Sequence, residues 1–215
     1  HVPLSFKESS DKLMGCGSIL NWADEKTTTW GCGIANITDD IIAATKITAV
    51  RGPISRWRAL SCGTACPAVY GDPGLLLPRF LPLAPGNKKT YKLGIVPHFT
   101  DQMRVSWWEK IKDNDVAVIN VFDPVETFVN ENTQCEQVIS SSLHGIIIAE
   151  AYGIPTIWCK IGNSIGGDGT KFRDYYAATG RDISHPFLME SGFDSKVSFA
   201  EWKPPVIDLD LFWNA

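Results

Sequence analysis

The stretch Val138-Ile139-Ser140-Ser141-Ser142-Leu143-His144-Gly145-Ile146-Ile147-Ile148-Ala149-Glu150-Ala151-Tyr152-Gly153-Ile154-Pro155 decides how the rest of the chain is read. It begins as the end of a buried strand, passes through a serine turn and continues as a helix that opens beside a histidine. Gly153-Ile154-Pro155 stops that helix and leads into a new strand, Thr156-Ile157-Trp158-Cys159. Free N–H groups at the helix start and the serine hydroxyls point at one spot, which suits a phosphate or a carboxylate. His144 adds a group that can donate a hydrogen bond, carry charge or move a proton near neutral pH. A serine-capped turn with a satisfied core histidine gives the same local pattern, because serine caps are common.

Outward from this turn, short apolar runs alternate with helical stretches, the signature of a parallel α/β sheet. Upstream, a strand end at Lys12-Leu13-Met14 runs into the turn Gly15-Cys16-Gly17-Ser18, and a strand over 28–34 carries a second glycine turn. A third strand covers 47–51, a helix opens at Pro53, and another strand and turn follow at 69–74. Pro78, Pro82, Pro85, Gly86 and three lysines then mark a linker. A second series follows: strands over 91–96 and 116–121, and a helix over 124–132 with Asp123 as its cap. The serine turn comes next, then a glycine loop over 162–169 and a helix over 171–176. The expected fold is α/β, with two Rossmann-like lobes of parallel sheet over residues 1–85 and 86–215 and a cleft between them. Each turn lies at a strand's carboxyl end, where such folds bind ligands.

The 215 residues suffice for one large domain or two small ones. A hydrophobic share of 44% with 20% charged residues is that of an ordinary globular protein. The net charge of -4 gives no reason to expect nucleic acid and argues against a purely electrostatic membrane anchor. No apolar run reaches the roughly 18 residues that a spanning helix needs, and no signal-like start is present. Cys62 and Cys66 have CxxxC spacing but no second pair follows, so no zinc site is expected there. Cys135 and Cys159 read as small buried hydrophobes. The pattern fits a reducing compartment, with a Cys62–Cys66 disulfide left open.

Several turn residues are candidates for chemistry. Gly15, Gly17 and Ser18 would let the backbone approach a ligand closely, or simply make a tight turn; the dinucleotide fingerprint is incomplete there. Arg51 ends a strand and could clamp a carboxylate or phosphate. Asp72 could act as a base or cap its own turn. His98 repeats, in the second series, a polar group at a strand end. Ser141, Ser142 and Gly145 belong to the serine turn, and Lys171 and Arg173 supply positive charge after the glycine loop. Glu150 lies about 240° around the helix from His144, so it reads as a structural or ribose-type contact. GxSxG, HExxH, Walker A and EF-hand patterns are absent.

In this order, six pieces resemble the polysaccharide pyruvyl transferase family: Gly15-Cys16-Gly17-Ser18-Ile19-Leu20, Trp30-Gly31-Cys32-Gly33-Ile34, Val50-Arg51-Gly52-Pro53-Ile54-Ser55, Gly71-Asp72-Pro73-Gly74-Leu75-Leu76-Leu77-Pro78, Gly94-Ile95-Val96-Pro97-His98-Phe99, and Ser141-Ser142-Leu143-His144-Gly145 through Ile154-Pro155. The similarity is closest to the exopolysaccharide ketal-pyruvate branch, in which Pro-His follows the first strand of the second lobe. The resemblance implies a GT-B-like two-lobed fold. It also implies transfer of the enolpyruvyl group of phosphoenolpyruvate onto two hydroxyls of a glycan sugar, forming a ketal. His144, His98 and Asp72 would then be the catalytic candidates. Gly15, Gly17, Ser18, Arg51, Ser141, Ser142, Gly145, Glu150, Lys171 and Arg173 would be substrate contacts, with no metal and no cofactor beyond the donor substrate. Many relatives carry Arg before Leu-His-Gly, where this chain has Ser142. Relatives also carry an N-terminal strand, turn and helix before the first glycine turn, so the first lobe is expected to be truncated.

Two other readings compete. A GT-B-type glycosyltransferase would place a nucleotide sugar on the same helix start and use Glu150 for a ribose. A non-catalytic glycan binder would use some of the eight tryptophans, Trp22, Trp107 and Trp108 among them, to stack on sugars. The expected partners are phosphoenolpyruvate and a glycan or lipid-linked saccharide, with no nucleic acid. The expected place is the cytoplasm, with or without membrane association, or the Golgi lumen in a eukaryote.

Overall fold

The structure, a computed structural model, describes residues 11–42, 46–83, 86, 88–104, 114–161, 166–183, 185–189 and 197–215. Trp107, Trp108 and residues 162–165 of the expected glycine loop lie outside them.

The first sheet is parallel, with strands β1 (Lys12–Met14), β2 (Thr27–Trp30) and β3 (Lys46–Ala49) in chain order. The expected strand over 69–74 contributes a single parallel bridge, Val50 to Tyr70. Helix α1 (Pro53–Ser61) has Pro53 in its first turn, where the missing N–H costs nothing. A 3-10 turn, Pro73–Leu76, runs into α2 (Leu77–Phe80) at the start of the expected linker.

The second sheet is also parallel. It is built from β4 (Tyr91–Val96), β5 (Val116–Val118), β6 (Cys135–Ser140), β7 (Thr156–Lys160) and β8 (Phe187–Leu188), in the order β5-β4-β6-β7-β8. Helices α3 (Phe99–Arg104), α4 (Val125–Thr133), α5 (Leu143–Ala151) and α6 (Thr170–Ala178) follow β4, β5, β6 and β7, and α7 (Leu209–Trp213) closes the chain. The last four residues of β4 are all buried, as are the last three of β6, as in a parallel strand covered on both faces. Ile95, Ile139 and Cys159 pack in one cluster; Val96, Val138, Ala149 and Ile154 pack in another. Two expectations need correction. Strand β5 stops at Val118, and Asp123 does not cap α4, because its carboxylate accepts from Asn120 Nδ2 at 2.7 Å while Pro124 stands at the cap.

The order of the second sheet positions the site. The chain leaves β4 toward β5 on one side and then returns to place β6 on the other. At that switch point the carboxyl ends of β4 and β6 lie side by side, with Val96 paired to Ser140. A crevice opens there in parallel α/β sheets because the following connections leave toward opposite faces. The two sheets are tied by α6, whose Asp174 meets Arg51 at the end of β3 with both side chains fully buried. The last helix also returns to the first sheet, where Phe212 stacks on Trp30 at 4.6 Å. Among the described residues no helix is long and apolar enough to cross a membrane.

Candidate functional site

The serine turn is built by three hydroxyls with different tasks. Ser140 Oγ, fully buried, reaches the Val96 carbonyl at 2.8 Å and receives the Ser142 N–H at 3.0 Å, locking β6 to β4. Ser141 Oγ donates to Asp101 Oδ2 at 2.7 Å and accepts the His98 N–H at 2.9 Å. Ser142 caps α5, accepting from the Gly145 N–H at 3.5 Å. Gly145 has to be glycine, since a Cβ there would stand 2.4 Å from Ser140 Oγ and 2.7 Å from Val96 Cγ1. Ser141 and Ser142 are thus occupied in aiming His98 and starting α5.

His144, one residue into α5, crosses to the first sheet. Its Nε2 lies 3.1 Å from Cys16 Sγ and 3.6 Å from Asp72 Oδ2. Cys16 is exposed at the end of β1, and Asp72 is fully buried ahead of its 3-10 turn. The Gly74 N–H holds Asp72 Oδ1 at 2.9 Å, while Oδ2 has no hydrogen-bond partner among the described residues. Burial pushes the Asp72 carboxyl up, but the adjacent His144 ring outweighs this and holds it below its ordinary value. Burial likewise pushes His144 down, and Asp72 and Cys16 against Nε2 bring it above its ordinary value. Being fully enclosed, Asp72 is a positioning residue for His144 and does not meet a substrate as a free base.

His98 follows β4 and is held differently. Its Nδ1 receives the Thr100 N–H at 3.3 Å and lies 2.7 Å from Thr100 Oγ1, which leaves Nε2 to carry the ring proton. Burial, with the charges of Lys171 and His144 nearby, lowers its pKa to about 4, so the ring is neutral at pH 7. Lys171 at the start of α6 is itself lowered by burial and by Arg51, against a pull from Asp101. It also lines a cavity of about 310 Å³ with Trp158, Lys160, Asp168 and Arg173. The histidine in its lining is His185; His98 and His144 do not line it, and Lys171, whose charge lowers His98, is the residue common to the cavity and to that histidine's surroundings. Arg173 donates to the Asp168 carbonyl at 3.0 Å and to Thr170 Oγ1 at 3.2 Å.

Other candidates belong to the scaffold. Arg51 is fully buried; it donates to Asp174 at 3.2 Å, Ser18 Oγ at 2.7 Å and the Ile34 carbonyl at 2.7 Å, so no part of it is left to clamp a ligand. Ser18 is consumed in that network. Gly17, with φ +110°, makes a tight turn whose carbonyl accepts from Gly33 at 3.0 Å, and Gly15 packs near Trp30 and Pro73. Glu150 is buried on the far side of α5. It takes two bonds of 2.6 Å from Arg181, one of 2.7 Å from Tyr175 and one of 3.2 Å from Trp202, which leaves no oxygen for a ribose. Cys62 and Cys66 are free thiols. The sequence reading passed over Cys16, Asp101 and Asp174. Only Cys16 carried a signal, by standing inside a glycine turn.

Fold and site together define an α/β protein of parallel sheets with a polar centre at their carboxyl ends. The family model described as polysaccharide pyruvyl transferase matches residues 23–163, and the chain belongs to that family. It is similar to the succinoglycan biosynthesis protein ExoV of Rhizobium meliloti (strain 1021), 28% identical over 178 residues that cover 78% of this chain and 54% of that protein. It is also 29% identical over 172 residues to uncharacterized protein L143 of Acanthamoeba polyphaga mimivirus, covering 76% of this chain and 58% of that protein. The chain thus spans little more than half the length of these curated relatives. No solved structure matches it significantly.

Proposed function

We propose that this protein transfers the enolpyruvyl group of phosphoenolpyruvate to two hydroxyls of a glycan sugar, forming a pyruvate ketal. The carrying observation is that His98 and His144 follow the neighbouring strands β4 and β6, with Lys171 near enough for its charge to lower His98, and that His144 meets the glycine turn that carries Cys16. The donor presents a carboxylate and a phosphate. Lys171, the His98 Nε2–H and the first N–H groups of α5 are the matching donors, and they replace the arginine that many relatives carry at position 142.

The division of labour follows from the two histidine environments. His98 is neutral, so it donates a hydrogen bond and supplies no proton. His144 Nε2, which rests between Cys16 and Asp72, delivers the proton to the enol carbon while a sugar hydroxyl attacks the neighbouring carbon. The emptied nitrogen then receives the hydroxyl proton, which balances the addition. The carbon–oxygen bond to phosphate then breaks as the second hydroxyl bonds to the same carbon, and its proton leaves with the departing phosphate, which closes the ketal. We read the two sheets as cores of two Rossmann-like lobes in a GT-B-like arrangement, divided near residue 85. The contact of His144 with Cys16 at the end of β1 supports that reading, although α7 returns to the first. The acceptor is a glycan or a lipid-linked saccharide. A succinoglycan biosynthesis protein among the relatives accords with this.

A thermal-shift comparison tests the reading against the glycosyltransferase alternative. A ligand that binds the native state raises the Tm. Phosphoenolpyruvate is expected to do so where nucleotide sugars do not. The reverse result would replace a pyruvyl donor by a nucleotide sugar.

A further inference from the structure

We infer that Cys16, Asp72 and His144 form a three-ligand site for a zinc-class divalent cation, with a fourth position open to the cleft. The three ligand atoms all lie within 4.8 Å of one another. Tetrahedral zinc with sulfur, nitrogen and oxygen ligands requires ligand-to-ligand spacings of about 3.4–3.6 Å, from bond lengths of about 2.0–2.3 Å. The observed 3.1 Å from Cys16 Sγ to His144 Nε2 and 3.6 Å from Nε2 to Asp72 Oδ2 bracket that range.

Two observations separate this site from a chance cluster. Asp72 Oδ2 is buried, lies 3.6 Å from His144 Nε2 and has no hydrogen-bond partner among the described residues, which is costly for a carboxylate oxygen unless a cation meets it, while Cys16 Sγ stands 3.9 Å from the sister oxygen. That sister oxygen is fixed by the Gly74 N–H, an outer-shell bond that aims the carboxylate. Second, both contacts of His144 are made by the same ring nitrogen. A nucleophile–base–carboxylate relay uses the two nitrogens in turn, one toward the nucleophile and one toward the carboxylate. Here thiol and carboxylate converge on Nε2, the arrangement of ligands around a point. A thiol beside an imidazole selects zinc and its soft neighbours over magnesium or calcium. Cys16 is exposed and the His144 side chain is 40% exposed, so an ion has a way in and a solvent-facing position once bound.

The inference stands apart from the transfer reading. An ion on Nε2 occupies the electron pair that the transfer needs, so a metal-loaded molecule and a proton-delivering one are distinct states.

The test strips the full chain with a chelator and titrates it with zinc and, separately, with cobalt(II). One zinc per chain is expected, and cobalt should give a thiolate-to-metal charge-transfer band in the near ultraviolet. Cys16→Ser should abolish that band and weaken zinc binding by more than ~100-fold, beyond the 10–100-fold typical of a lost outer-shell partner. Cys62→Ser should change neither. Asp72→Asn, checked for native circular dichroism, should weaken zinc while leaving the thiolate band obtainable at higher cobalt. Failure of the wild-type chain to bind an ion would overturn the site, as would binding that survives Cys16→Ser unchanged.

Discussion

Arg51 and Asp174 form an ion pair 3.2 Å apart with neither side chain exposed, joining the end of β3 to α6. Asp174 also accepts the N–H groups of Ile54 and Ser55, both at 2.9 Å, and the Ser55 hydroxyl at 2.6 Å, so one carboxylate caps α1 from another part of the chain. Gly52 permits the approach, since a Cβ there would lie 2.1 Å from the Asp174 carbonyl. Removing one partner strands a buried charge. Asp174→Asn is therefore expected to lower stability by about 3–5 kcal/mol in urea unfolding. A loss below 1 kcal/mol would contradict a scaffold role for Arg51.

Glu150 supplies the corresponding test within the second sheet. Its carboxylate gathers Arg181, Tyr175, Thr156 and Trp202. Glu150→Gln should cost about 3 kcal/mol or more by leaving Arg181 unmatched. Ligand affinity at temperatures well below the melting point should stay within twofold of the parent. A large affinity loss with little change in stability would restore the ribose-type contact.

His98 carries the pH dependence. Its folded pKa, near 4, lies below the ordinary 6.5. Below pH 6.5 the unfolded chain takes up a proton that the folded chain refuses, so stability falls as the pH drops from 6.5 toward 4. An NMR titration of the ring should show a midpoint near 4. In Lys171→Met the midpoint should rise, because a nearby positive charge is gone. A midpoint near 6.5 in the parent chain would place His98 in solvent.

Gly145→Ala tests the turn itself. The added methyl must displace Ser140 Oγ or Val96, the groups that lock β6 to β4. A loss of about 1–3 kcal/mol is expected, together with weaker donor binding as the start of α5 shifts. Unchanged unfolding would show that the turn has room which the contacts deny.

What the sequence made legible was local. The run from Val138 to Pro155 contains its own strand, cap, helix and stop, so a reader needs no other part of the chain to place His144 at a helix start. Pro53 and its helix were equally self-contained. Arg51 misled because an arginine at a strand end looks the same whether it faces a ligand or a buried carboxylate 123 positions away. Asp123 misled because Asn120, three residues earlier, competes for the carboxylate. Cys16 could not be found from spacing at all. It meets Asp72 across 56 positions and His144 across 128, and only the tertiary fold brings the three together.

The central claim is that phosphoenolpyruvate binds at His98, His144 and Lys171. The direct measurement is a calorimetric titration of phosphoenolpyruvate into metal-free protein, in the parent chain and in Lys171→Met and His144→Ala. Saturable binding in the parent, weakened at least tenfold in Lys171→Met and lost in His144→Ala, is the predicted result. Binding that neither substitution alters, or no binding by the folded parent chain, would contradict the account.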